Sequence, residues 1–169
     1  MRAKSILVGI LILAVGATAA AAEDSASTRV SWTVLPFAVV GLQGGTPGEE
    51  ATANTPLPTP TAADLARGYL EVSSAVGLTV RSNTDWTVQV ESLSPTLGTS
   101  DDGTFIWSVD SLEVGVGGDF VDVSTDPRVL ASGSRGEHEL TVDYRVQLPE
   151  AGVPSGDYEA VLLYTVTTQ

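Results

Sequence analysis

Apolar and polar residues alternate along most of the chain after residue 68, with the two-residue period of β-strands. Residues 137–148 show the clearest alternation, and residues 85–92 show a shorter one. Each segment therefore predicts a strand with one face on a core and the other face in water. The side chains predicted to point inward are those of Trp86, Val88, Val90, Leu140, Val142, Tyr144, Val146 and Leu148.

Turn sequences separate these segments. Residues 82–85 (SNTD) and 99–104 (TSDDGT) favour tight turns, and the glycines of residues 114–123 (VGVGGDFVDV) predict bends or a bulge. About eight or nine short strands at this spacing are typical of a sandwich or barrel. We interpret the fold as all-β, a single antiparallel β-sandwich with Greek-key connections.

Residues 61–83 contain the one predicted helical turn and two of the predicted strands. Thr61, Asp64 and Gly68 stand around the sequence AADLAR in the pattern that caps one short helical turn. The sequences GYLEVSS (68–74) and GLTVRSN (77–83) predict two short strands separated by small residues.

The first residues have the pattern of a secretory signal peptide. Arg2 and Lys4 precede an apolar run that extends from Ile6 to Ala22 and ends in small residues. The alternative is a retained membrane anchor, for which this run is short. We predict cleavage after Ala22, and therefore a secreted or cell-surface protein.

The rest of the chain divides into three parts by composition. Residues 28–42 predict the first strand region, in which Val30, Trp32 and Val34 alternate with polar residues until Pro36 interrupts the ladder. The predicted parts of the chain are a signal peptide (1–22), an N-terminal strand segment (23–42), a Gly/Pro/Thr-rich linker or long loop (43–63) and the body of the sandwich (64–169).

Residues 156–169 (GDYEAVLLYTVTTQ) predict a strand that is apolar on both faces. Val161 and Leu163 stand where a solvated strand would carry polar residues. We therefore expect this strand to lie inside its sheet, with Val161 and Leu163 covered by the N-terminal segment or by another subunit. The residues on the predicted core side are Tyr158, Ala160, Leu162, Tyr164 and Val166.

Composition excludes several classes of site. The chain contains no cysteine, which excludes a disulfide framework, a thiol nucleophile and a zinc–thiolate centre. Its formal net charge is −13, and loss of Arg2 and Lys4 with the signal makes the mature chain more acidic still. Nucleic acids and anionic membranes are therefore poor partners for this surface, whose scattered acidic residues otherwise serve solubility.

The sequence contains no constellation that indicates catalysis. His138 is the only histidine, and it lies between two glutamates at the start of a predicted strand. A lone histidine specifies neither a partner group nor a pocket, so we interpret His138 as a solvated strand residue. No nucleophile elbow, phosphate-binding loop or paired-histidine zinc motif is present, and we predict no enzymatic activity, no catalytic residue and no cofactor.

Two kinds of ligand site are considered as alternatives. Calcium is a natural ligand for an acidic exported sandwich, and the residues that offer oxygen atoms from neighbouring loops are Asp101, Asp102, Asp119, Asp122 and Asp126. The alternative for these carboxylates is a solvated surface. The aromatic residues could form a glycan-binding platform. Most of them, however, fall on the same face of their strand as the aliphatic residues, which favours core packing for residues such as Trp32 and Trp86.

The sequence PSGDY, residues 154–158, resembles the tyrosine corner of immunoglobulin-like sandwiches, with Tyr158 in the role of the tyrosine. More broadly, residues 23–169 resemble small exported bacterial surface proteins of the fimbrial-subunit or spore-coat kind. VSWTVLPFAVV after the signal, NTDWTVQV in the middle and GDYEAVLLYTVTTQ at the end carry this resemblance.

The resemblance implies an immunoglobulin-like fold and a structural, non-enzymatic role in a cell-surface assembly. The N-terminal segment, on its long linker, pairs either within its own sandwich or with the sheet of another subunit, and the second case would give self-association by strand addition. The rival hypothesis is a monomeric secreted module that binds a soluble ligand such as calcium or a glycan.

Overall fold

The structure, a computed structural model, describes residues 29–49 and 51–169. The chain divides into two units after residue 34, and residues 35–169 form the second unit. Within the first unit, residues 29–34 form neither helix nor strand. The predicted signal peptide, residues 1–22, lies outside the described residues. Among the described residues, no helix is long and apolar enough to cross a membrane.

The second unit contains strands throughout, and the one α-helix in the described part of the chain is α1 (Ala62–Arg67). A single 3₁₀ turn follows at Val109–Ser111. The strands are β1 (Ala38–Leu42), β2 (Tyr69–Ser82), β3 (Trp86–Ser92), β4 (Thr96–Thr99), β5 (Ile106–Ser108), β6 (Leu112–Val116), β7 (Asp119–Asp122), β8 (Arg128–Gly133), β9 (Gly136–Gln147) and β10 (Leu162–Thr168).

The strands form two main sheets and a small hairpin, and every pairing is antiparallel. One sheet has the order β1-β2-β9-β6-β7, and the other has the order β10-β3-β8. The hairpin consists of β4 and β5. Strands far apart in sequence are neighbours in both sheets, as Greek-key connections require. The predicted all-β antiparallel sandwich is confirmed.

The core lies between the two main sheets. Val80 and Val142 of the five-stranded sheet are completely buried, as are Val88 and Val90 of the three-stranded sheet. Trp86 is the largest fully buried side chain, and its indole N–H donates to the Ser134 carbonyl at 2.8 Å. Burial of each such aliphatic side chain stabilises the fold by about 1.5–3 kcal/mol, so this alternation of residues holds the sheets together.

The outer face of the five-stranded sheet is polar and internally paired. The Arg145 guanidinium lies 3.8 Å from the Phe120 ring centroid and 4.8 Å from that of Tyr69. It also bonds to Glu71 at 2.9 Å and to Glu113 at 3.4 Å. Such partly exposed pairs contribute little to stability, but the Arg145 guanidinium covers the rings of Tyr69 and Phe120 on this face.

The first strand is shorter than the sequence predicts, because it begins at Ala38 rather than at residue 28. β1 pairs with β2 from Ala38 opposite Ser82, which is the last residue of β2. Beyond that point Asn83 replaces the strand partner: its side chain accepts from the Phe37 N–H at 2.8 Å and donates to the Leu35 carbonyl at 2.9 Å. The ladder therefore stops where β2 stops.

The two strands predicted over residues 68–83 are one strand, β2, with a bulge between Val72 and Val76. Ser74 has a φ of 54°, and its N–H donates to the Asp143 carboxylate at 2.7 Å. The small residues thus turn the strand without ending it, because a side chain of β9 satisfies the displaced backbone.

The predicted helix cap is present at α1. The Thr61 hydroxyl accepts from the Asp64 N–H, while the Asp64 carboxylate accepts from the Thr61 N–H at 2.8 Å. Gly68 ends the helix with a φ of 83°, a left-handed conformation that favours glycine. These hydrogen bonds lower the pKa of Asp64, with the Thr61 hydroxyl as the largest contribution.

We expect Trp86→Ala to lower the free energy of unfolding of the chain by about 3–5 kcal/mol, because it leaves a large cavity between the sheets. The matched control is Ile106→Ala on the β4–β5 hairpin, since Ile106 is 64% exposed and its loss should change stability by less than about 0.5 kcal/mol. Urea unfolding of both variants measures the difference. A Trp86→Ala cost below about 1 kcal/mol would contradict this packing.

Candidate binding groove between the sheets

β10 lies at an edge of the three-stranded sheet, not inside it as the sequence analysis expects. In the described part of the chain, β3 is its only sheet neighbour. Val161 and Leu163 are accordingly 52% and 43% exposed on the outer face. A strand that is apolar on both faces needs another element over each face to exclude water. The sequence of the strand does not tell whether that element belongs to the same chain or to a second one.

The direction of the backbone groups of β10 follows from the bonds at its two ends. The Val161 carbonyl accepts from the Leu93 N–H at 3.0 Å, and the Gln169 N–H donates to the Asp85 carbonyl at 2.9 Å. Because the direction of backbone groups alternates along an antiparallel strand, the odd-numbered residues from Val161 to Gln169 bond towards β3. The even-numbered residues therefore present their N–H and C=O groups to the free edge.

The free edge is partly approached by β1 at one end. β1 starts opposite Ser82, and a short turn joins Ser82 to Trp86, which lies opposite Thr168 of β10. β1 therefore starts at the end of the sandwich where β10 finishes. It approaches β10 without hydrogen-bonding to it. The end where β10 starts, at Leu162, is the open one.

At this open end the two sheets stand apart along a groove, which we call the seam. Residues 52–60 form one rim of the seam, and residues 153–162 form the other. Its volume is about 860 Å³. The floor is apolar and comes from the five-stranded sheet, the residue that follows β9 and the β4–β5 hairpin: Leu70, Leu97, Trp107, Leu112, Tyr144, Val146 and Leu148. The seam is thus an opening into the hydrophobic core.

The first rim, residues 52–60, is weakly attached to the sandwich. The Thr55 hydroxyl donates to the Ala75 carbonyl at 3.4 Å. No backbone–backbone hydrogen bond joins residues 51–60 to any other described residue. Leu57 is 39% exposed at this rim. The rim is a covering segment and not a strand.

The second rim is held firmly by a tyrosine corner. The Tyr158 hydroxyl donates to the Pro154 carbonyl at 3.0 Å, four residues upstream, and the ring packs edge-on against Trp107 at 5.0 Å between centroids. The Glu159 N–H donates to the Leu97 carbonyl at 2.7 Å. Gly98, next to Leu97, permits this approach, because a Cβ there would lie 2.7 Å from the Asp157 carbonyl oxygen. In immunoglobulin-like domains such a corner precedes strand F.

Two tyrosines join the sheets deep in the molecule. The Tyr144 and Tyr164 hydroxyls are 3.0 Å apart, one from β9 and the other from β10. Burial raises the pKa of both hydroxyls, so both remain protonated through the neutral range. Tyr144 also lines the seam, and it supplies one polar atom in an otherwise apolar floor.

An exposed apolar cluster continues from the seam onto the outer face of the three-stranded sheet. Leu93, which bonds to Val161, is 66% exposed. Together with Val161 and Leu163 it forms a cluster of three large apolar side chains at the start of β10. This outer face therefore differs from the polar face of the other sheet.

His138 and the tryptophans considered as site residues do not form a binding or catalytic site among the described residues. The His138 Nε2 lies 2.8 Å from the Ser134 carbonyl oxygen, and its ring packs 5.2 Å from the Trp86 ring. The aromatic platform considered from the sequence is not assembled, because Trp86 and Trp107 are buried. Trp32, in the separately described residues 29–34, stays a structural residue by prediction only.

The acidic residues considered for calcium are not brought together. Asp102 accepts from the Ser100 hydroxyl at 2.6 Å and from Thr104, and these hydrogen bonds lower its pKa, with that from Ser100 contributing most. Asp119 and Asp122 lie on β7, and Asp126 lies in the turn before β8. No group of three or more acidic, histidine or cysteine residues among the described residues could hold a metal ion. Calcium binding stays a sequence prediction without structural support.

The chain resembles solved structures, but it matches no known sequence family. No protein-family model matches the chain, and no curated protein matches it. Among solved structures, it is similar to a chain of a chaperone-usher pilus whose structure concerns the molecular basis of rod uncoiling. The two chains are 13% identical with a TM-score of 0.43, over 87% of this chain and 97% of that chain. A likeness at this level does not establish a family.

The sequence analysis did not identify the seam. Its floor combines the start of β2, the end of β9 and the β4–β5 hairpin, which are distant in sequence. A local signal existed only for the rims, in the Thr/Pro composition of residues 51–61 and in the PSGDY corner.

We expect Tyr158→Phe to lower the free energy of unfolding by about 1 kcal/mol, because it removes the hydrogen bond to Pro154 and leaves the ring in place. Tyr69→Phe is the matched control, since the Tyr69 ring stacks on Arg145 and no described hydrogen bond uses its hydroxyl. Chemical unfolding compares the two. Equal effects would mean that the corner hydrogen bond does not hold this rim.

Proposed function

We propose that the protein is an exported, non-catalytic component of a cell-surface assembly, and that it joins a second copy of itself by strand addition at β10. The free edge of β10 beside the open seam is the observation that carries this proposal. Strand addition uses main-chain hydrogen bonds for affinity and alternate side chains for specificity. The backbone of Leu162 and Tyr164 offers the hydrogen bonds, and the seam offers the apolar pocket.

The donor in this proposal is the segment before β1. Val30, Trp32 and Val34 are 77%, 80% and 66% exposed, and in an extended conformation they would share one face. Residues 29–34 are not part of any described strand. Laid along β10 of another copy, this segment would direct one apolar face into the seam and the polar side chains of Ser31 and Thr33 outward.

Burial of these three side chains would supply the driving force. Each large apolar side chain contributes about 1.5–3 kcal/mol when it is fully buried. Association costs about 4–15 kcal/mol in lost translational and rotational freedom, so apolar burial needs the added main-chain hydrogen bonds. The cluster of Leu93, Val161 and Leu163 adjoins the same edge and would be partly covered by the added strand.

The proposal assigns no catalytic function, because the side chains of His138 and Asp102 make structural contacts within their own neighbourhood. His138 contacts Trp86 and Ser134, and the Asp102 carboxylate is bonded to Ser100 and Thr104 within its own turn. These contacts explain both residues as structural groups. The proposal therefore gives the chain no catalytic residue and no cofactor.

Disulfide trapping between two intact chains tests the proposal, because the chain has no cysteine of its own. One variant carries Thr33→Cys on the donor segment, and a mass-tagged second variant carries Leu163→Cys on the outer face of β10. We expect mixing under mild oxidation to give a disulfide-linked heterodimer. The matched control replaces the second variant with Ser132→Cys, which lies on β8 at the opposite edge of the same sheet and should give little of this product.

The outcomes separate three cases. Preferential linkage to β10 supports strand addition between copies. A third variant carries both Thr33→Cys and Leu163→Cys in one chain. If it forms an intramolecular disulfide at every dilution, the segment occupies the seam of its own chain. Equal linkage to β8 and β10, or none to either, contradicts the proposal.

The volume of the seam favours a second candidate function, a monomeric secreted module with a soluble ligand. A volume of about 860 Å³ lies in the range of small-molecule sites, about 300–1,000 Å³. The apolar floor would suit an apolar molecule better than calcium or a glycan. A strictly monomeric mature chain in light scattering, without trapped heterodimer, would favour this alternative.

A further inference from the structure

The segment that forms the first rim of the seam has an unusual composition. Residues 51–61 (ATANTPLPTPT) contain four threonines and three prolines, and no charged residue. Segments rich in threonine, serine and proline are typical sites of O-glycosylation in exported proteins. Composition alone does not select among the four threonines, but their environments in the structure differ.

The backbone of this segment is available to an enzyme. Residues 51–60 form no helix or strand and share no backbone–backbone hydrogen bond with other described residues. Pro60 disfavours the helical region for Thr59, because its ring would clash with the preceding residue there. No helix, strand or backbone pairing within the described residues would therefore have to break for this segment to enter the cleft of a modifying enzyme.

The four threonines have different hydroxyl environments. Thr52 and Thr59 are exposed, and their hydroxyls form no hydrogen bond with the described residues. The Thr55 hydroxyl is half-buried and donates to the Ala75 carbonyl. The Thr61 hydroxyl caps α1, since it accepts from the Asp64 N–H and bonds to the Asp64 carboxylate at 2.6 Å.

We propose that Thr52 and Thr59 are acceptor sites for O-linked glycosylation. The Oγ atom attacks the anomeric carbon of an activated sugar, a sugar phosphate carried on a nucleotide or a lipid. The new Oγ–carbon bond replaces the bond from that carbon to the phosphate oxygen. The phosphate group leaves with the bonding electrons, and a base of the transferase takes the hydroxyl proton. This inference rests on the export in the proposed function, but not on strand addition.

The two sites have a specific position relative to the seam. Both threonines belong to the rim opposite β10. A neutral, hydrated sugar on this rim would project into solvent beside the seam, and the floor and the β10 edge would stay accessible. Glycosylation would therefore increase the solubility of the open groove.

Peptide mapping of the full chain tests the proposal. The protein is purified from the producing organism, from the medium or the cell surface, and digested with trypsin. No lysine or arginine lies between Arg29 and Arg67, so one tryptic peptide, residues 30–67, contains the whole segment. Fragmentation that preserves the glycan should place hexose-sized additions at Thr52 and Thr59, and little at Thr61.

Two variants sharpen the assignment. Thr52→Ala combined with Thr59→Ala should remove most of the added mass. Thr46→Ala is the matched control, because Thr46 is exposed and precedes Pro47 but lies in a turn where its carbonyl accepts from the Glu49 N–H at 3.2 Å. We expect this control to keep the full added mass.

Each outcome decides the proposal. An exported chain with an unmodified 30–67 peptide overturns glycosylation and leaves export intact. Additions confined to Thr46 or Thr61 overturn the assignment, because exposure and an available backbone would then not select the site. A chain that stays inside the cell, unmodified, overturns both export and this proposal.

Discussion

The backbone N–H and C=O groups of Leu162 and Tyr164 point out of the three-stranded sheet, beside an opening into the core. Water can satisfy these groups but cannot stabilise the apolar floor behind them. An unpaired strand edge next to exposed apolar surface is a template for pairing with another extended chain. The proposed function rests on this constraint.

The rigid parts of the molecule hold this edge in place. Trp86 fills the space between the sheets and anchors β3, the sole sheet neighbour of β10 among the described residues. Tyr158 fixes the rim before β10, and the Tyr144–Tyr164 hydrogen bond joins β10 to the opposite sheet. The edge is therefore preorganised, which lowers the entropy cost of pairing with an added strand. By contrast, one side-chain hydrogen bond, from Thr55 to the Ala75 carbonyl, attaches residues 51–60 to the sandwich. This segment can therefore change its conformation while the core stays packed.

Sequence patterns predicted the features that depend on residues close to one another along the chain. The alternation around Trp86 and Val142, the cap at Thr61 and the corner at Tyr158 each involve residues close in sequence, and the structure shows each of them. The bulge in β2 and the early end of the first strand depend on Asp143 and Asn83, which lie on other elements. The edge position of β10 and the seam depend on sheet order, which the period of a single strand does not encode.

Amide hydrogen exchange along β10 tests the central claim most directly, because exchange reports backbone pairing residue by residue. The comparison is between the mature chain under associating conditions and its Trp32→Asp variant. We expect Leu163 and Thr165, which bond to β3, to be protected in both chains. We expect Leu162 and Tyr164 to be protected in the mature chain alone. Fast exchange of Leu162 and Tyr164 in both chains, or slow exchange in both, would contradict closure of this edge by the N-terminal segment.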